Sequence, residues 1–163
     1  MALGEIYDRG DVTLDMVEIY FRKTLTRLGE QKSNSLVAHI QKLLGIAAEH
    51  SSVKASKLAL SLTIANIVIS SRDFKQTHIK LVNSFSAWFV NGTTLYAKAQ
   101  IAASAANRLK FQDPAYYQAL YKENIEMLYF LIEPQMSEII YQINSGDNNE
   151  EKIGDALYEI LRK

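Results

Sequence analysis

The chain has 163 residues, no cysteine, two prolines and seven glycines, with 48% apolar and 22% charged positions. That length suffices for one domain with a sizeable core, the lack of thiols excludes disulfides and thiolate metal sites, and scarce proline and glycine leave little room for linkers. Net charge is zero, from 18 acids and 18 bases, yet the charges are segregated. Residues 1–52 hold seven acids and six bases, and residues 113–163 hold ten acids and four bases. Between them Asp73 stands alone against Lys54, Lys57, Arg72, Lys75, Lys80, Lys98, Arg108 and Lys110, so the three parts sum to about −1, +7 and −6. A sign-biased surface attracts a partner of opposite sign, or another part of the same chain.

The opening residues carry no apolar core region and read as a short flexible N-terminus of about residues 1–11, not as a secretory signal. Thr13 is the expected cap of a first helix running to about Leu28, with Leu14, Val17, Phe21 and Leu25 at helical spacing and Gly29 closing it. Ser33 or Asn34 opens a second helix whose stripe is Leu36, Ile40, Leu43 and Ala47. Ser51-Ser52 caps a third, apolar over most of its circumference from Val53 to Ile69 and therefore expected at the bundle centre. Ser61, Thr63 and Asn66 interrupt this run, and it is shorter than the roughly 20 residues of a membrane span.

Ser71 or Asp73 starts a fourth helix that ends at Asn91-Gly92, and Thr93 or Thr94 caps an alanine-rich fifth. Asp113-Pro114 is the clearest start signal, an N-cap followed by proline at the first helical position. The sixth helix is expected to be long and to kink or restart at Glu133-Pro134. Asn148 or Asn149 then opens a short last helix ending near Leu161. No window alternates with period two, so the fold class is all-α. The expectation is one domain, residues 1–163, built as a mostly antiparallel bundle of six to seven helices.

Candidate chemistry is sparse. His39 and His50 lie about 16 Å apart along one helix and cannot share a metal from it. His39, beside Leu36 and Leu43, reads as structural, His50 sits at a helix C-terminus, and His78 reads as solvated. Asp15 with Glu18 and Glu123 with Glu126 each place two acids on one helical face, the arrangement that holds Mg²⁺ in helical nucleotide hydrolases. Arg22 and Lys122 supply local ion-pair partners for Glu18 and Glu126, which favours a solvated-face reading. No nucleophile elbow, phosphate loop or thiol is present. No cofactor, metal or catalytic residue is therefore expected, and no enzyme, with a Mg²⁺-dependent nucleotide hydrolase using Asp15, Glu18, Glu123 and Glu126 kept as the second alternative.

Two binding readings remain. The sixth helix carries Tyr116 on one face and Tyr117 with Tyr121 on another, more tyrosine than one core stripe needs, and tyrosine is enriched at interaction hot spots. With Glu123, Glu126, Glu150 and Glu151, these tyrosines suggest a surface for another protein, with a basic one suiting the charge. The leading expectation is a soluble, cytoplasmic, non-catalytic interaction module: an adaptor, a regulator or an immunity-type inhibitor. The alternative is nucleic-acid binding through Arg72, Lys75, Arg108 and Lys110, gathered at one end of the bundle with Phe74 and Phe111. Against stacking, the same two phenylalanines read as plugs of the bundle's end. The segment Ala87-Trp88, Gly92 and Asp113-Pro114 lacks the spacing of a tetratricopeptide repeat, and a single copy makes no solenoid.

Overall fold

Apolar positions recurring every three or four residues turn nearly the whole chain into amphipathic helices. The computed structural model describes residues 10–45, 56–90, 95–145 and 147–163. Among the described residues there are eight α-helices and one 3-10 helix, with no strand. They are α1 (Gly10–Leu28), α2 (Glu30–Leu44), α3 (Lys57–Ser70), α4 (Arg72–Val90), α5 (Leu95–Gln112), α6 (Pro114–Lys122), the 3-10 helix η1 (Glu126–Leu131), α7 (Glu133–Asn144) and α8 (Glu150–Leu161). The all-α bundle expected from the sequence is what forms.

The first corner is drawn differently from its expected caps. Helix α1 has begun by Gly10, so Thr13 lies inside it, buried, and does not cap it. Gly29 takes φ +87° and itself precedes α2, which places Ser33 and Asn34 one turn inside that helix. Ser33 instead closes the corner, its hydroxyl donating to the carbonyls of Leu25 at 3.1 Å and Gly29 at 2.6 Å. Gly45, at φ +68°, ends α2 by returning its amide to the Gln41 and Lys42 carbonyls. Ala47, His50 and the expected Ser51-Ser52 cap lie outside the described residues, as does the Asn91-Gly92 stop. In place of the serine pair, Ser56 caps α3, accepting from the Ala59 amide at 3.1 Å.

Helix α3 is not central. Leu60, Ile64, Ala65 and Val68 are buried on one face, while Leu58 is exposed and Leu62, Ile67 and Ile69 are half-buried. Its main neighbour is α1, with α2 and α4 beside it. An all-round apolar helix invites partners on every side, but its own composition cannot dictate where they come from.

The long sixth helix is broken earlier than proline would break it. Asn124 enters the left-handed region at φ +58°. The Asn124 amide bonds the Tyr121 carbonyl and the Ile125 amide bonds the Leu120 carbonyl, the paired return bonds of a Schellman stop. Chain direction resets through η1, and Pro134 then sits in the first turn of α7, where its missing N–H costs no helical bond. The Asp113 and Asn149 caps form as the sequence indicates, Asp113 accepting from the Tyr116 amide and Asn149 from the Glu151 and Lys152 amides.

One core runs through the bundle, from Met16, Tyr20 and Phe21 of α1 through Ile64, Leu109, Tyr116 and Tyr129 to Ile140 and Leu157. Each fully buried aliphatic or aromatic side chain contributes about 1.5–3 kcal/mol over its exposed state. Besides the α1–α3 pair, α2 packs on α8, α5 on α6 and η1, and α7 on α8. No described helix is long and apolar enough to cross a membrane.

Candidate functional site

Asp113 organises the end of the bundle where α5 turns into α6. Its buried carboxylate caps α6 and also accepts from Lys23 at 2.7 Å and from the Asn144 amide at 3.0 Å. Asn144 in turn accepts from the Tyr20 hydroxyl at 3.0 Å. Burial alone would push the Asp113 carboxyl up, but the hydrogen bonds from Lys23, Asn144 and the Tyr116 amide together hold it below its ordinary value. This network joins α1, α6 and α7, and it fixes which tyrosines of α6 point inward.

Tyr116 is fully buried, donates to the Met16 carbonyl at 2.7 Å, and stacks edge-on between Tyr20 and Tyr129 with centroids 5.1 and 6.1 Å away. One position further, Tyr117 is half-buried and lies 6.1 Å from Tyr121, their rings inclined by only 27°. Tyr121 is 54% exposed and Phe111, just before the turn, is 80% exposed. The Lys110 ammonium sits 5.8 Å from the Tyr117 ring centre, within cation–π reach. The α5–α6 corner thus presents Phe111 and Tyr121 outward, with Lys110 over the half-buried Tyr117 ring. The sequence pointed to the two tyrosines for this surface, and offered Phe111 either as a stacking group beside the basic residues or as an end plug; it is exposed. The signal was there: Leu109 ends the core stripe of Ala102, Ala105 and Ala106, and Phe111 lies about 200° of helical turn away from it.

The four acids of the expected interface fall on different elements. Glu123 is exposed at the end of α6, and Glu126 is half-buried in η1 with its Oε2 buried and without a hydrogen-bond partner. Glu150 and Glu151 begin α8, which packs on α2 and α7. Of the paired-carboxylate set, Asp15 is exposed, whereas Glu18 is buried, gripped by Arg22 through Nε at 2.7 Å and accepting from Ser61 at 2.8 Å. Among the described residues no three His, Asp or Glu side chains are grouped to hold a metal ion.

The basic set is divided as well. Arg108 makes a two-point pair with Glu133, through Nε at 2.9 Å and Nη2 at 2.6 Å, so the positive middle and the negative C-terminal third meet inside the molecule. Lys110 belongs to the tyrosine corner. Arg72 and Lys75 stand exposed on α4. Phe74 is buried as a plug and stacks on His78, while Phe111 is not a plug at all. His78 is half-buried and bonds the Leu131 carbonyl at 3.1 Å, so it is not the solvated residue expected; α4 lies against η1 at this point. His39 bonds Asp155 at 2.8 Å, linking α2 to α8 as a structural histidine does.

No protein-family model, curated protein or solved structure matches the chain. Function therefore rests on the side chains themselves.

Proposed function

We propose that the chain is a non-catalytic helical module that works by binding another protein, with the α5–α6 corner as its contact. The observation that carries this is the aromatic exposure at that corner, Phe111 together with Tyr121 and its stacked, half-buried neighbour Tyr117. Aromatic groups bury large area at little entropic cost and dominate interface energetics, yet here Phe111 and Tyr121 stand exposed on a chain with ample core to hold them. Support also comes from how the reactive side chains are used. His39, His78, Glu18 and Ser61 are each engaged in helix-to-helix bonds. The acidic C-terminal third suits a partner with a basic surface, as an inhibitor of a basic enzyme or a regulator would meet. Of the two binding readings the protein-binding one is preferred, because Arg108 of the basic set is already neutralised by Glu133.

The test is capture of partners by the tagged chain from its source lysate, with and without nuclease, read by mass spectrometry. A stoichiometric protein should survive nuclease and be lost when Tyr117 and Tyr121 are both changed to alanine. Capture unchanged by that double substitution, or abolished by nuclease, would overturn the assignment.

A further inference from the structure

Helix α4 has an inner face and an outer face of opposite character. Inward, Phe74 is buried, Asp73 accepts from Gln135 at 2.5 Å, and His78 bonds the Leu131 carbonyl. Outward, Arg72, Lys75 and Ile79 are exposed along one stripe with no acid among them, Ile79 being 56% exposed, and Lys80 is exposed beside them, two turns beyond Asp73. None of the three cations forms an ion pair with a described residue.

The complementary charge lies on the same chain, near the other end of α7. Asp147, Glu150 and Glu151 occupy the turn into α8 and its first residues, and they too form no ion pair with a described residue. Other acids of this region are taken: Asp155 by His39, Glu159 by Arg162, Glu138 by Lys163 and Glu133 by Arg108. Helix α7 gives the spacing. Its first turn holds the start of α4 through Gln135 and Asp73, whereas the turn into α8 leaves from its far end at Asn144. Twelve helical residues separate these ends by about 18 Å, beyond the roughly 8 Å over which exposed charges act at physiological salt. Among the described residues no ion pair joins these three cations to these three acids.

We propose that they meet between molecules: the outer face of α4 docks on the α8 N-terminal turn of a second copy. Two copies set with their α7 axes antiparallel bring the basic end of each against the acidic end of the other, so both contacts form at once around a two-fold axis. Ile79 supplies the apolar centre of each contact. This surface is separate from the tyrosine corner and goes beyond the partner-binding role proposed above.

Sedimentation velocity of the full chain tests it. The dimer should dissociate as salt rises from about 0.01 M to about 1 M, which shortens the screening length from roughly 30 Å to 3 Å. The double substitutions K75E/K80E and E150K/E151K replace exposed or partly exposed side chains, so each variant should keep its helical circular dichroism while self-association weakens at least about tenfold. Mixed one to one, the two variants should form a heterodimer, because each reversed patch meets its complement on the other chain. A wild-type chain that stays monomeric at low salt overturns the proposal, as does a dimer indifferent to both reversals. So does a mixture of folded variants that fails to associate. A monomer whose α4 cations instead bind a fluorescent single-stranded oligonucleotide assigns the face to nucleic acid and also overturns it.

Discussion

Tyr116 and Tyr129 meet edge to face in the core and are chemically alike, yet their hydroxyls are in opposite situations. Tyr116 donates to the Met16 carbonyl at 2.7 Å, whereas the Tyr129 hydroxyl is buried with no hydrogen-bond partner. A satisfied buried hydroxyl contributes about 1 kcal/mol net, and an unsatisfied one carries a desolvation cost of about 1–3 kcal/mol. Tyr116→Phe should therefore lower stability by about 1 kcal/mol, and Tyr129→Phe should leave it unchanged or raise it by about 1 kcal/mol. Urea unfolding of the two variants at equal protein concentration reads the difference directly. Equal losses in both would show that the two hydroxyls are equivalent and that Tyr129 has a partner after all.

At the level of elements, the α2–α8 contact depends on a missing side chain. Gly154 is buried in the middle of α8, and a Cβ there would lie 2.5 Å from the His39 ring and 3.4 Å from Leu36. Alanine in a helix interior is favoured over glycine by about 1 kcal/mol, while overpacking of a fitted contact costs about 1–3 kcal/mol. Gly154→Ala should therefore destabilise the protein by displacing His39 from Asp155. In a His39→Ala background the same change should stabilise it by about 1 kcal/mol, since the obstruction is gone and only the helix preference is left. Denaturant midpoints of the four proteins of this cycle check the reversal of sign. Gly154 also shows where sequence reading stops. Helix identity followed from spacing, and Asp113-Pro114 and Asn149 announced their caps without tertiary help, because a cap is satisfied by its own next turn. The Asn124 stop gave no such local warning, since asparagine serves equally on a polar helix face and in a left-handed turn. The inner or outer placement of Tyr116 and Tyr117 was readable as two faces. Which one turned inward was set by Met16 and Tyr20, about a hundred positions away along the chain.

Over the whole molecule, buried titratable groups set the pH range in which the bundle survives. On the acid side, Asp113 is held below its ordinary value, so its contribution is fully present above about pH 4 and is lost as pH falls further. On the alkaline side, burial pushes the Tyr20, Tyr116 and Tyr129 hydroxyls well above their usual value near 10. These groups stay protonated in the fold while the unfolded chain loses its protons, so the stability they confer is complete below about pH 10 and declines above it. Each such tyrosine removes about 1.4 kcal/mol per pH unit, and the three together about 4 kcal/mol per unit. Against a typical total of about 5–15 kcal/mol, that slope should unfold the bundle within a few pH units above 10. The observable is coincidence: phenolate absorbance near 295 nm from these three of the nine tyrosines should rise only as helical ellipticity collapses. If all nine ionise while the ellipticity is intact, the Tyr20–Tyr116–Tyr129 column is open to water, and the core does not depend on keeping it dry.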